Sequence, residues 1–301
     1  MERMQQLAET ITRHAPATGM YATPLPRLSL FRADQPTLPI PSVYEVSLCL
    51  IAQGAKRVSI ADHSLVYDAA RYLVVSLDLP LTGHIITARP DEPYLCCKIN
   101  LDLAVLADLI VAEGGASPSP SPARAPALAV YPSDPHMIDA ACRLVGLLDQ
   151  PDAAEVLAPL IEREILFRLL AGPHGSVLRH LAAADSHLHQ VSRAIAHIRA
   201  GFRGPLRVRD IAAAAGMSAS SLHEHFKAIT RLTPLDYQKQ LRLQEARRLM
   251  VAEGAGAGAA GFAVGYESPS QFSREYRRLF GAPPRQDVGR LQAEQDYLSA
   301  A

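Results

Sequence analysis

The sequence predicts an α+β protein of two domains, a β-rich unit followed by an all-α unit that carries a double helix-turn-helix. Three observations lead there. Short β-prone runs crowd residues 43–101, helical periodicity takes over beyond residue 134, and one motif in the last third is written twice.

The β-prone runs are VYEVSLCLIA (43–52), KRVSI (56–60), RYLVVSLDL (71–79), GHIITA (83–88) and YLCCKINL (94–101), each bounded by Gly, Pro or Asp-containing breaks. Several strands at such close spacing suggest a small sandwich or barrel. Residues 1–40 are Pro-interrupted and read as a short helix followed by an arm. The Ser/Pro-rich stretch 114–126 cannot build a core and reads as an exposed loop. Two helical patterns follow, Asp134 to Asp149 and Asp152 to Leu170. The second carries Val156, Leu160, Ile161, Ile165, Leu169 and Leu170 as an apolar stripe. The predicted boundaries are a sensing and dimerisation domain at 1–172, a linker at 173–188, a DNA-binding domain at 189–290 and a tail at 291–301.

Composition excludes some classes. With 301 residues, 49% hydrophobic and 20% charged, the chain has the makings of an ordinary globular core. No apolar stretch approaches the roughly 20 residues that cross a bilayer, so no membrane partner is expected. The opening MERMQQLAETITRHAP lacks the apolar segment of a signal peptide, and the cytoplasm is the natural compartment. Cys49, Cys96, Cys97 and Cys142 have no C-x-x-C spacing, which argues against a zinc site or a disulfide framework. The formal net charge is zero, but it is unevenly placed. Between Leu188 and Arg290 there are 16 Lys and Arg against 8 Asp and Glu, leaving 14 against 22 elsewhere. A basic DNA-facing module joined to a mildly acidic one gives this asymmetry. Arginine is also common on solvated faces, so charge alone does not decide the matter.

The repeat decides it. When GMSASSLHEHFKAITRLTP (216–234) is set against GYESPSQFSREYRRLFGAPP (265–284), Ser218 meets Ser268, Leu222 meets Phe272 and Phe226 meets Tyr276. Lys227 falls on Arg277 and Pro234 on Pro284, all at one offset. One supersecondary unit is used twice. In each, a helix stops at Gly, a Ser N-cap opens the next helix, and apolar residues come at +4 and +8 from the cap. Ser268 with Gln271 fits a capping box. The polar residues between the apolar ones face outward, as a helix entering a major groove requires. Helices are predicted near 189–200, 208–215, 219–229, 235–252, 257–264 and 269–280. The joining helix offers Leu235, Leu241, Ala246, Leu249 and Met250 for packing on both units. The Gly-rich run AEGAGAGAAG (252–261) predicts a short or frayed first helix in the second unit.

At VRDIAAAAGMSASSLHEHFK (208–227) and VGYESPSQFSREYRRLFGAPP (264–284) the chain resembles the AraC/XylS family of transcription regulators. Weaker similarity at 41–58 and 70–83 looks like the effector-sensing domain of the branch that includes regulators of aldehyde reductase genes. The resemblance implies a cupin-like β-barrel with flanking dimerisation helices, a homodimer, double-stranded DNA, a small-molecule effector and RNA polymerase as partners. By position it implies base contacts from Ser220, His223 and Glu224 in the first reading helix, and from Ser270, Gln271, Ser273 and Arg274 in the second. Arg274 suits guanine and Gln271 adenine. Lys227, Arg242, Arg277 and Arg278 are placed for phosphates. Glu224 departs from the family pattern, and an ion pair with Arg209 or Lys227 is the alternative to base contact.

For the front unit three readings stand: effector sensor, dimerisation or docking unit, and cupin-type enzyme. Metal cupins begin their ligand set with H-x-H, whereas His63 and His84 lie apart without it. No metal, cofactor or catalytic residue is therefore expected. Tyr44, Cys49, His84 and Cys97 are the candidate effector-lining residues, chosen because they sit on predicted strands. Cys96 and Cys97 are adjacent, so one faces each side of its strand, and either a redox or electrophile sensor or a plain core residue fits.

Overall fold

The computed structural model describes residues 2–114, 126–183 and 185–291. Almost all of the Ser/Pro-rich segment 114–126, and the tail beyond Leu291, lie outside the described residues. The chain divides into two compact units, with the break after His189.

The first unit opens with helix α1 (Glu2–His14), followed by strands β1 (Gly19–Ala22), β2 (Leu28–Ala33), β3 (Ile40–Tyr44), β4 (Ser47–Gln53), β5 (Ala55–Ile60), β6 (His63–Asp68), β7 (Arg71–Val75), β8 (Leu79–Thr87) and β9 (Tyr94–Asn100). Helix α2 (Leu103–Ala112), strand β10 (Leu128–Pro132) and helices α3 (Pro135–Gly146), α4 (Pro151–Ala171) and α5 (Gly175–Ala182) complete it. The strands form two sheets, ordered β1-β2-β9-β4-β7-β10 and β3-β8-β5-β6. All five β-prone runs are strands. The region expected as an arm instead folds as the antiparallel pair β1–β2, and β2 joins β9 from Leu28 opposite Ile99 to Ala33 opposite Tyr94.

Strand β4 is buried on both faces because each face is covered. Leu48, Leu50 and Ala52 join Leu95, Cys97 and Ile99 of β9 in a core shared with α1, α3 and α4. Cys49 and Cys96 lie on the opposite face, between the sheets. Strand β5 alternates: Val58 and Ile60 are buried, while Arg57 is exposed.

Asp134 caps α3 by accepting from the His136 amide at 3.2 Å, with Pro135 in the first turn. In α4 the expected single stripe splits in two. Ile161, Ile165, Leu169 and Leu170 are buried, whereas Val156 and Leu160 are 68% and 61% exposed. At 100° per residue Val156, Leu160 and Phe167 share a face roughly opposite Ile165.

The segment expected as a linker is mostly not one. Helix α5 buries Val177, Leu178 and Leu181, and fully buried His174 ties it to the sheet. Its Nε2 lies 2.7 Å from the Ser76 hydroxyl and its Nδ1 3.0 Å from the Tyr131 hydroxyl. The run AGPHGS marks the break between α4 and α5 but carries no sign that α5 packs back on the sheet.

The second unit is helical: α6 (His187–Gly201), α7 (Val208–Ala215), α8 (Ala219–Thr230), α9 (Pro234–Ala252), α10 (Ala257–Ala263) and α11 (Pro269–Phe280). These match the sequence expectation to within two residues at each end, and α10 is short, at seven residues. Among the described residues no helix is long and apolar enough to cross a membrane.

Burial pushes the His174 imidazole down from 6.5 to about 4. The unfolded chain therefore binds the proton first, and the stability that a neutral His174 allows above pH 6.5 is lost as the pH falls toward 4. The full swing is about 3 kcal/mol. Urea unfolding between about pH 7 and pH 4.5 should show the first unit losing stability along this window, and His174→Gln should flatten that slope. An equal slope in the variant would assign the acid sensitivity to other groups.

Candidate nucleic-acid interface

Each half of the second unit presents one helix whose buried side is anchored and whose outer side is free. Helix α7 ends at Gly216, which has a left-handed φ of 70°. Ser218 then caps α8, accepting from the Ser221 amide at 3.2 Å. Leu222 and Phe226 are fully buried, and Phe226 meets Tyr237 of α9 edge-to-face at 5.7 Å. The second half repeats this. Ser268 caps α11 through the Gln271 amide at 3.3 Å, and Phe272 and Tyr276 are buried at the positions of Leu222 and Phe226. Only half of the expected capping box forms, because the Gln271 side chain donates to Glu275 at 3.2 Å.

Ser220, His223, Glu224 and Lys227 are exposed on α8, and Ser270, Gln271, Ser273, Arg274, Arg277 and Arg278 on α11. Among the described residues Lys227, Arg274, Arg277 and Arg278 form no ion pair. Glu224 pairs with neither Arg209 nor Lys227, since Arg209 turns to Asp210 at 3.2 Å. The ion-pair alternative for Glu224 therefore does not hold.

Arg242 has a different task from the one its position suggested. Its guanidinium donates to the carbonyls of Phe202 (2.6 Å), Gly204 (2.7 Å), Gly265 (2.9 Å) and Arg203 (3.3 Å). Gln238, one turn earlier, donates to Phe202 and Gly204, both at 2.9 Å. These bonds use most of the five donors of Arg242, which makes it a clamp between the α6–α7 turn and the α10–α11 turn. Gly265 permits the close approach: its φ is 92°, and a Cβ there would stand 2.0 Å from the Arg203 carbonyl oxygen.

Helix α9 is the common support. Tyr237 and Leu241 pack on the first half, while Leu243, Ala246 and Met250 enter the core of the second with Phe272 and Tyr276. Leu235, expected in that packing, is 45% exposed. A buried ion pair that sequence reasoning missed locks the second half. Arg247 donates to Asp287 twice, at 2.8 and 3.0 Å, and the Tyr276 hydroxyl donates to the same carboxylate at 2.8 Å. The glycines before α11 have a packing role too, because a Cβ on Gly261 would meet the Phe272 ring at 3.0 Å. At the C-cap of α8, Arg231 takes the left-handed φ of 64° where Gly281 serves α11.

The effector-lining candidates separate by face. Tyr44 and Cys49 lie between the sheets. Cys97 instead belongs to the core beneath the helices, and His84 pairs with exposed Arg57 on the outer face of its sheet. The between-sheet residues that were missed are Lys56, Tyr67, Tyr94 and Cys96. Burial pushes the Cys96 thiol up to about 12 and holds Cys97 well above the usual thiol range, so neither has thiolate character at neutral pH.

The profile of the family described as AraC-type transcriptional regulator N-terminus matches residues 24–177. The chain belongs to this family. A helix-turn-helix domain profile matches residues 211–289, which contain both reading helices. Among curated relatives, the transcriptional activator RhaS of Escherichia fergusonii is 32% identical over 162 residues, covering 52% of this chain and 57% of the relative. The transcriptional regulator ArgR of Pseudomonas aeruginosa is 26% identical over 144 residues, 48% of this chain and 44% of the relative. The chain spans about half the length of the curated relatives it matches. ToxT of Vibrio cholerae O395, solved with (E)-4-(8-methylnaphthalen-1-yl)but-3-enoic acid, shares the fold. The TM-score is 0.59 at 11% identity, over 87% of this chain and 97% of ToxT.

Proposed function

We propose that this AraC-type chain is a sequence-specific DNA-binding transcription regulator whose second unit reads two neighbouring major-groove segments. The observation that carries the proposal is the repeat itself: two capped helices, each anchored by a buried aromatic or aliphatic pair, each presenting short polar residues and unpaired cations. Exposed Arg274 has the planar fork for guanine O6 and N7, and Ser220, His223, Ser270, Gln271 and Ser273 are short enough to reach base edges. Lys227, Arg277 and Arg278 supply the phosphate contacts that fix register. Glu224, unpaired on the same face, is assigned to cytosine N4. Arg242 is withdrawn from the phosphate set, its donors being committed to carbonyls.

The first unit is assigned to small-molecule sensing and pairing of two copies rather than to catalysis. Support for sensing comes from the shared fold of ToxT, whose solved forms include one described as bound to an unsaturated fatty acid. Support for pairing comes from α4, where Val156, Leu160 and Phe167 expose one apolar face. Such a stripe fits the same helix of a second copy. RNA polymerase is the further partner that a promoter-bound regulator in the cytoplasm would meet.

Selection of bound DNA from random sequence should return a site with two conserved elements. Arg274→Ala should relax preference at one base pair of it, at a cost of roughly 1–3 kcal/mol for the favoured base. Arg277→Ala should weaken all sequences alike and lower the salt slope by about one. An unchanged base preference in Arg274→Ala would remove that residue from the reading set. For pairing, light scattering should find a dimer in the wild type and a monomer in Leu160→Glu, and a dimer in both would place the interface elsewhere.

A further inference from the structure

Strand β5 breaks its own pattern at Lys56. Residues 56, 58 and 60 share one face, and Val58 and Ile60 on that face are buried in the space between the sheets. An inward lysine is out of place by hydropathy. Its ammonium lies 5.3 Å from the centre of the Tyr44 ring, 5.8 Å from that of Phe31 and 6.0 Å from that of Tyr94. These rings come from three strands of both sheets, and no carboxylate pairs with Lys56 among the described residues. The neighbouring Lys98 has Glu45 at 3.7 Å. Gly83 on β8 makes the room: a Cβ there would stand 2.7 Å from the Tyr44 hydroxyl and 3.0 Å from Cε of Lys56.

The ring faces offset part of the cost of desolvating a cation. They do nothing for a second anomaly in the same place. The hydroxyls of Tyr67 and Tyr94 are closed off from solvent and have no hydrogen-bond partner, although an orphaned buried hydroxyl costs on the order of 1–3 kcal/mol. Their neighbours are Cys49 and Cys96, with thiols held protonated by burial. The cluster is thus rich in donors: one ammonium with three N–H groups, two phenols and two thiols, with no anionic acceptor.

We infer that this cluster is an anion-recognising subsite, and that the effector is a small organic carboxylate with an apolar body. The inference rests on the reading of the first unit as a sensor. The carboxylate accepts from the Lys56 ammonium, with Tyr67 and Tyr94 as further donors, and the apolar body lies against the Phe31 and Tyr44 rings. Both phenols are covered, so binding must displace the rings above them. Occupancy is thereby coupled to the packing of the two sheets.

The test uses the full chain with sodium phenylacetate and sodium hexanoate, and with phenylacetamide and hexanamide as neutral matches. The carboxylates should raise the melting temperature and the amides should not. Lys56→Met should keep or raise the ligand-free melting temperature, because it removes a buried charge, while weakening carboxylate binding by about tenfold or more. Tyr67→Phe should weaken it about threefold. If Lys56→Met does not fold, Gly83→Ala keeps the charge and crowds the subsite, with the same loss expected. Equal binding of acids and amides, or undiminished carboxylate binding in Lys56→Met, overturns the anion assignment and leaves the sensor reading standing. Absence of binding by either acid also overturns the anion assignment, whereas the sensor reading falls only if a broad panel of uncharged metabolites is silent as well. A borohydride-trapped adduct of phenylacetaldehyde on Lys56, with no carboxylate binding, would replace the subsite by covalent aldehyde capture.

Discussion

Arg242 stands midway along α9 with its guanidinium spread over carbonyl oxygens from two turns, Phe202 to Gly204 before the first helix-turn-helix and Gly265 within the second. The carbonyls at helix ends and turns need donors, and a planar cation with five N–H groups supplies several at once. The consequence is geometric. Helices α8 and α11 do not touch DNA as independent modules, because both are referred to one helix through one side chain. Lysine could make only part of this fan, with a flexible point charge in place of a rigid fork. Gly265 is the matching half of the device, since any side chain there would push the carbonyl cage apart.

The two halves are built alike but held differently. The first relies on apolar and aromatic packing, with Phe226 against Tyr237. The second adds the buried Arg247–Asp287 pair and a run of aromatic contacts from Tyr266 through Phe272 and Tyr276 to Phe280. That extra hold compensates for α10, only seven residues long and rich in glycine. A buried ion pair contributes little net stability over an apolar pair, but it permits few alternative arrangements. The same contrast runs through the β-unit. Most of its interior is apolar, and the exceptions, Lys56 with the tyrosines and His174 with Ser76, mark where the sheets or helices are held in one relation.

Much of this was legible in the sequence. The repeat at 216–234 and 265–284 located both reading helices because caps, glycines and apolar spacing all act locally. The helical bounds of the second unit come from the same signals. What stayed hidden depends on distant neighbours. Nothing local tells that Arg242 turns to carbonyls rather than to solvent, or that Asp287 is buried by α9. The edge pair β1–β2 was obscured by flanking prolines, and α5 by a Pro-Gly break that resembles a linker. The six apolar residues of α4 looked like one stripe because adjacent Leu160 and Ile161 hid two faces set apart around the helix. For the effector candidates the strands were right and the faces were not: His84 and Cys97 point away from the space that Tyr44 and Cys49 share. Lys56 does carry a local signal, a charged residue in phase with Val58 and Ile60, but a lone lysine on a short strand is far more often solvated than buried.

Helix α9, through Arg242, fixes the separation of the two reading helices, and every other feature of the DNA-facing unit depends on that. The direct test is the spacing between the two conserved elements in DNA selected by the wild type and by Arg242→Lys, which keeps the charge and loses the fan. The wild type should select one fixed spacing near a helical turn of about 10 base pairs, and Arg242→Lys should accept a range of spacings with base preferences unchanged. A variant that keeps the same single spacing would contradict the claim.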